Sequence, residues 1–334
     1  MISISNLEPH EWNDLVDRFH GDYRQYYEWS ILKKIYGWEI EQYLISENKK
    51  IVACCQILIK KIWPLIFIYF PGSVCGDQEK LKIINNHLKK KYKIFFLKYF
   101  RFDITSNKIL NHDEYLKKQN LKKSTFYRTG NIKISYDLTK SFDEIINSAS
   151  RSWKKNYKYA CKQNLKYIIE KEPDTNLIYK LSRDLERQKK IGRGHSHEEI
   201  ISIFKIMKNK ILFVKTLDEK DKVISFRAAL LNNLKAFDFF AITTTEGKKK
   251  QSGYFDLMNL FKELQKKSYN EYYFLGNNLK KDNLFFFKSK LGGKINEYIG
   301  ECDYSNIFGL RLLFNLLLFL KYSNKLPFFN FKSH

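Results

Sequence analysis

The segment from Lys210 to Thr243, KILFVKTLDEKDKVISFRAALLNNLKAFDFFAIT, constrains the fold more than any other part of this chain. It holds three apolar runs of strand length, separated only by the polar turns Asp218–Lys222 and Asn232–Lys235. Connections that short join neighbouring antiparallel strands and leave no room for a crossover helix. A helical pattern, YFDLMNLFKELQKKS, follows, and then another apolar run, EYYFLG. A sheet built this way needs a helix layer to cover its apolar face.

The first third repeats the plan. EWNDLVDRF and YYEWSILKKIY have helical spacing, and WEIEQYLIS and KIVACCQILIK read as strands around the turn Glu47-Asn48-Lys49. WPLIFIYFPG is a strand ended by Pro71-Gly72, EKLKIINNHLKKKY is a helix, and KIFFLKYFRFDI reads as one long apolar strand. In the middle, GNIKISYDL is a strand. Ser141 to about Leu165 reads as one long helix, opened by the capping-box pair Ser141 and Glu144. NLIYKLSRDLERQKK and HEEIISIFKIMKN are helices, NLFFFKSKL a short helix and KINEYIG a strand. No residue-level repeat exists, only repeated organisation. With 334 residues and no Pro/Gly/Ser-rich linker, the expectation is an α/β (α+β) chain of two domains packed together, with a boundary near residue 130.

Charge narrows the partners. Sixty Lys and Arg against 36 Asp and Glu give a formal +24, which favours RNA, anionic lipid or phosphorylated substrates. An AT-rich genome inflates Lys, Asn, Ile, Tyr and Phe together, but it does not remove acids. Five cysteines (Cys54, Cys55, Cys75, Cys161, Cys302) form no CxxC, so a reducing cytoplasm is expected. The opening MISISNLEPHEW lacks the features of a signal peptide. His195-x-His197 lacks a carboxylate triad nearby, so no metal is expected. The 14-residue run Ile307–Leu320 carries one charge and is too short to span a bilayer. It reads as a buried or interfacial helix, and Lys321 and Lys325 beside it would suit an anionic membrane surface.

Three further stretches point to chemistry. In LFFFKSKLGG (Leu284–Gly293), Asp282 can cap a short helix and Gly292 can end it. Leu284, Phe287 and Leu291 then share a face, with Phe286 and Lys290 roughly opposite and Lys288 at the stripe's edge. Lys288 is either a snorkelling lysine or a cation held for developing negative charge. RSWKKNYKYACKQNLKY (Arg151–Tyr167) holds six Lys or Arg and no acid. Arg151, Lys154, Lys155, Lys158 and Lys162 recur on one helical face, opposite Trp153, Tyr157, Cys161 and Leu165. That face is either solvated or laid against a tRNA backbone or substrate phosphates. TTTEGKKKQSGYFDLM (Thr243–Met258) leads from a strand into a helix, and Lys248, Lys249 and Lys250 could hold donor phosphates there.

These residues carry a resemblance. YYEWSILKKIYGWE, IVACCQILIKKI and YFPGSV are similar to the opening of the FemAB family of non-ribosomal peptidyl (aminoacyl) transferases, through Trp29, Lys33, Gly37-Trp38 and Pro71-Gly72. Arg151 or Lys154, with Ala160 and Lys162, resemble its basic helix, and FFFKSKLGG resembles its F-K-x-x-F-G-G segment. Leu275-Gly276-Asn277 departs from the family's D-x-G-G turn, and Leu291 from its second phenylalanine. The resemblance implies two GNAT-like domains, residues 1–130 and 131–302, with 303–334 returning to pack on the first. It implies transfer of an aminoacyl group from aminoacyl-tRNA to an amine of a nucleotide- or lipid-linked cell-envelope precursor of the peptidoglycan type. Attack would be direct, with Phe287-Lys288 at the oxyanion, Lys33 and Arg187 at acceptor phosphates, and no cofactor; Tyr254, by its place at the start of the helix after the loop, is a candidate for the substrate cleft. It implies a cytoplasmic enzyme, with peripheral contact at the inner face of the cell membrane left open.

The loop before Tyr254 lacks the [RQ]-x-x-G-x-[GA] pattern of GNAT pyrophosphate loops, and KKIGRG (Lys189–Gly194) follows a helix rather than a strand. That weakens acyl-CoA as donor. An acyl-CoA-dependent N-acyltransferase acting on an amino sugar is the first alternative, and a non-catalytic RNA- or membrane-binding module the second.

Overall fold

The computed structural model describes residues 1–107, 112–127, 129–189, 194–277 and 283–322. It divides into two compact units, Met1–Asn131 with Glu297–His334, and Ile132–Asn296.

The first unit contains β1 (Ile2–Ile4), α1 (Pro9–Arg18), α2 (Tyr27–Ile35), β2 (Glu39–Glu47), β3 (Lys50–Ile62), β4 (Leu65–Phe70), β5 (Cys75–Gly76), α3 (Leu81–Lys91), β6 (Leu97–Asn107), α4 (His112–Lys118) and β7 (Lys122–Lys123). The second contains β8 (Ile132–Asp137), α5 (Phe142–Ser148), α6 (Arg151–Cys161), β9 (Lys166–Ile169), α7 (Thr175–Lys189), α8 (His197–Ile206), β10 (Ile211–Leu217), β11 (Val223–Asn232), β12 (Lys235–Thr243), α9 (Thr245–Lys249), α10 (Ser252–Lys266), β13 (Glu271–Asn277) and α11 (Asn283–Ser289). β14 (Lys294–Ser305) carries the chain back to the first unit, where α12 (Phe308–Tyr322) follows.

Each unit has the same core plan. In the first, β2, β3 and β4 form an antiparallel meander, α3 crosses over, and β6 lies parallel to β4 with Leu65 opposite Leu97. In the second, β10, β11 and β12 form the meander, α10 crosses over, and β13 lies parallel to β12 with Phe237 opposite Tyr273. The turns follow local chemistry. Asn48 and Lys49 both take positive φ, as a two-residue hairpin turn requires. The Asp218 carboxylate accepts from the Lys220 and Lys222 amides. The first core stacks Phe70 on Phe102 at 4.2 Å, and the second packs Leu257, Leu260, Phe261 and Leu264 of α10 on Tyr136, Tyr272 and Phe274.

Four expectations need correction. The expected return at residue 303 falls inside β14, and the chain enters the first unit already at Glu297, because β14 pairs with β6 from Tyr298 onward. The single helix over 141–165 is two. Ser141 and Glu144 do form the capping box of α5, but Ser150 starts α6 afresh by accepting from the Trp153 amide. In the segment read as one strand over KIFFLKYFRFDI, pairing begins at Leu97, and Ile94 and Phe96 stand exposed before it. In LFFFKSKLGG the buried positions are Lys288 and Leu291, while Leu284 is 55% exposed. Asp282 lies outside the described residues, as do Lys325 and most of KKIGRG.

α12 docks on the first unit. Phe314 stacks on Tyr99 at 4.4 Å, and the Asn315 side chain donates to Asp303 at 2.8 Å and accepts from the Phe126 amide at 3.1 Å.

Candidate functional site

The second unit gathers an aromatic cluster around Lys288. The residue is only 6% exposed, and its Nζ lies 5.0 Å from the centre of the Phe274 ring. Among the described side chains of α11 it is the most buried, rather than the edge residue expected from periodicity. Phe287 meets Tyr254 edge to face at 5.0 Å, and Trp153 meets Tyr254 at 5.1 Å. The Tyr254 hydroxyl accepts from the Asn156 side chain at 2.9 Å. Three of the expected residues, Lys288, Phe287 and Tyr254, are therefore neighbours, drawn from α10 and α11 and lined by α6.

The backbone around Lys288 is clamped. The Tyr136 hydroxyl donates to the Lys288 carbonyl. The Ser150 amide donates to the Lys290 carbonyl at 2.8 Å, and the Ser148 hydroxyl to the Leu291 carbonyl at 3.1 Å. The break between α5 and α6 is thus the dock for the end of α11. The two glycines follow from the same contacts. Gly292 has φ +91°, and a Cβ there would sit 2.6 Å from the Ser148 carbonyl oxygen; a Cβ on Gly293 would sit 2.6 Å from the Tyr136 ring.

Sequence reasoning missed the charges beneath this cluster. Arg227 on β11 lies with its guanidinium carbon 5.6 Å from the Phe274 ring centre and 5.8 Å from that of Phe287. It pairs with Asp238 of β12 at 2.5 Å, and Tyr272 donates to the same Asp238 oxygen at 2.6 Å. Burial opposes the charge on Arg227, but Asp238 and Tyr272 hold its pKa above the ordinary value. Burial, and then Asp238, push the Tyr272 hydroxyl well up. Asp256 of α10 accepts from the Thr216 hydroxyl. Burial pushes its carboxyl up to about 6, against the opposing pull of Thr216 and Arg227. The available signal was a charge inside an apolar strand, in VISFRAALL and KAFDFFAIT.

α6 presents its outer face to solvent. Arg151, Lys155, Lys158 and Lys162 are exposed, and the half-buried Lys154 donates to the Asn147 carbonyl at 2.9 Å. Trp153 and Ala160 are buried on the inner side, whereas Cys161, expected there, is exposed. Arg151 and Lys154 occupy the first turn of α6, where the helix dipole disfavours cations by about 0.3–1 kcal/mol each. A polyanion laid on this face would remove that cost.

The remaining candidates are scattered. Lys250 is paired with Glu219, Lys249 lies 3.6 Å from Glu246, and Lys248 is exposed. The amides of Gly247, Lys248, Lys250, Gln251 and Tyr254 all bond within their own loop and helix ends. Arg187 is 81% exposed and sits 3.9 Å from Asp184, away from the aromatic cluster's contacts. A cavity of about 520 Å³ between α7 and the end of β12, bordered by Lys180, Thr244 and Glu246, does not include Lys288. Lys33 belongs to the first unit. Its Nζ lies 4.6 Å from the Trp29 ring centre, so the Trp29-x-x-x-Lys33 spacing makes a cation–π pair along α2. Gly37 has φ +70° after α2, and Gly72 has φ +76° where a Cβ would meet Asp22. His197 lies over Tyr179 at 5.1 Å, and no group of three metal-ligating side chains occurs among the described residues.

No family model and no curated protein matches the sequence. Solved structures do match the fold. FemX aligns with a TM-score of 0.80 at 14% identity, over 94% of this chain and 100% of FemX. A tandem GNAT protein from the clavulanic acid biosynthesis pathway aligns at 0.57 and 7% identity, over 91% and 98%. The C-terminal domain of a putative lysylphosphatidylglycerol synthetase from Agrobacterium fabrum aligns at 0.58 and 10% identity, over 93% and 96%. At such identities the likeness is one of fold: the chain has a tandem GNAT-like fold, which it shares with FemX.

Proposed function

We propose that this chain is an aminoacyltransferase that moves an aminoacyl group from aminoacyl-tRNA to an amine of a cell-envelope precursor. The observation that carries the reading is the Lys288 ammonium, buried among aromatic rings on a helix whose backbone Tyr136, Ser148 and Ser150 hold in place. A cation fixed before the reaction, in surroundings that exclude water, stabilises a charge that exists only in the transition state.

The step needs no enzyme nucleophile. The acceptor amine attacks the ester carbonyl, a C–N bond forms, and the carbonyl oxygen becomes an oxyanion beside Lys288. Collapse breaks the ester C–O bond, and the amine's proton ends on the departing ribose hydroxyl. The acidless outer face of α6 suits the tRNA backbone, and the inner face of the same helix lines the aromatic cluster through Trp153 and Asn156. The internally bonded loop between β12 and α10 offers few amides to a pyrophosphate, which favours tRNA over acyl-CoA as donor. The fold shared with FemX and with a putative lysylphosphatidylglycerol synthetase domain supports an aminoacyl group as cargo.

Lys288→Met keeps the stem and removes the charge. It should lower kcat by roughly 10²–10³ and leave acceptor binding intact. Wild-type turnover of aminoacyl-tRNA in that variant would remove Lys288 from the mechanism.

A further inference from the structure

The first unit carries an apolar surface that its described elements leave uncovered. The turn between β3 and β4 presents Trp63, 62% exposed, and the connection from α3 to β6 presents Phe96, 69% exposed. Their rings lie 5.8 Å apart, and the Leu97 amide donates to the Pro64 carbonyl at 3.1 Å, so the two tips form one projection. Asn306 ties this projection to the start of α12. Its side-chain amide donates to the Phe96 carbonyl at 2.6 Å, and its oxygen accepts from the Lys98 amide at 2.7 Å. α12 then turns Phe314 and Asn315 inward and leaves Phe308, Leu312, Leu316 and Phe319 exposed along the other side. Surfaces of this kind mark interaction sites rather than ordinary solvent-facing protein.

We infer that this surface docks on an anionic lipid membrane, with α12 lying in the interfacial plane. Charge selects that occupant. His87–Lys98 holds five lysines and no acid, and the described sequence of α12 holds no acid either. Lys122 lies with its Nζ 5.7 Å from the Phe308 ring centre, and Lys123 is exposed beside it. Of the nearby acids, Glu39 and Glu41 are matched by Lys61 and Lys91, Asp303 accepts from Asn315, and Asp113, near Phe308, lies 3.0 Å from His112. A groove on a protein partner would need the apolar row alone, whereas an apolar row with a cationic rim and a tryptophan at its edge matches the acyl–headgroup boundary. The 15 described residues of α12 are too few to cross a bilayer and enough to lie in its surface. If the function proposed above holds, the acceptor is then lipid-linked rather than nucleotide-linked.

The test is sedimentation of the full chain with vesicles of phosphatidylcholine and phosphatidylglycerol, and with phosphatidylcholine alone. The wild type should bind the anionic vesicles and leave the zwitterionic ones. Replacing Leu312→Ser together with Leu316→Ser, both exposed, should lower partitioning at least ~10-fold. Trp63 fluorescence should shift to the blue on binding, and Trp63→Phe should lose that change. Lys288→Met should bind vesicles as the wild type does, which separates this inference from the catalytic one. Three results would overturn it. One is no binding of the wild type to anionic vesicles; another is unchanged binding of the double leucine variant. The third is self-association of the wild type that the same variant abolishes, which would make a second copy the occupant.

Discussion

Asp256 offers a sharp test of the buried charges under the aromatic cluster. Its folded carboxyl is pushed up to about 6 from an ordinary value of 3.8, so the folded state holds the proton more tightly than the unfolded chain. Between those two values the folded state carries more protons, and stability must fall as pH rises. Above about 6 the loss is complete and constant. A gap of roughly two units corresponds to about 3 kcal/mol. Asp256→Asn keeps the shape and an acceptor oxygen for the Thr216 hydroxyl, but it does not titrate. Urea denaturation of both proteins from pH 4 to 8 gives a difference profile in which the other groups cancel. The variant should gain on the wild type as pH rises, by up to about 3 kcal/mol, and the gain should level off above the folded pKa. A flat difference across that range would mean that the carboxyl is not raised and that Arg227 already neutralises it.

The neighbouring pair should respond in the opposite sense. Asp238→Ala leaves the Arg227 guanidinium buried without its carboxylate, and thermal or chemical denaturation should show a loss of about 3–5 kcal/mol. Gly292→Ala forces a side chain into positive φ against the Ser148 carbonyl, so it should cost at least ~1–2 kcal/mol and lower kcat by moving Lys288; an unchanged kcat would show that the clamp does not position the cation. Lys155→Ala with Lys158→Ala should weaken tRNA binding and flatten its salt dependence by about 0.7–0.9 for each lost phosphate contact, measured by filter binding over a range of salt concentrations.

Hydrophobic pattern and turn chemistry exposed the meanders, because both are local. The runs of Lys210–Thr243 and the turns at Glu47–Lys49 and Asp218–Lys222 became the elements their sequences demand. The break at Ser150 was hidden because helical spacing continues on both sides of it, through the acidic start of α5 and the basic, acidless run of α6. What sets the break is the distant carbonyl of Lys290, which accepts from the Ser150 amide. The depth of Lys288 was hidden for a similar reason. Periodicity ranks positions by polarity, so it assigns a lysine to the edge of an apolar stripe, whereas Phe274 on the preceding strand and Tyr136 on a strand distant in sequence enclose it. Arg227 and Asp238 were legible as charges in apolar strands, yet their pairing follows from the bulged register between β11 and β12, which no single segment specifies.

α6 links the basic outer surface to the aromatic cluster around Lys288. A helix selected only for stability would not place Arg151 and Lys154 in its first turn, would carry acids there, and would intersperse signs along its outer face. α6 does none of these things, and its buried side supplies Trp153 and Asn156 to the cluster that holds Phe287 and Tyr254. Neutralising the outer face with a polyanion would stabilise the helix whose inner face touches the aromatic cluster around Lys288. Donor binding and the ordering of the Lys288 site would then be coupled through a single element. Removing Lys155 and Lys158 should therefore reduce not only tRNA affinity but also the kcat that remains at saturating donor. Removing Arg187, which lies on α7 beside Asp184, should change neither.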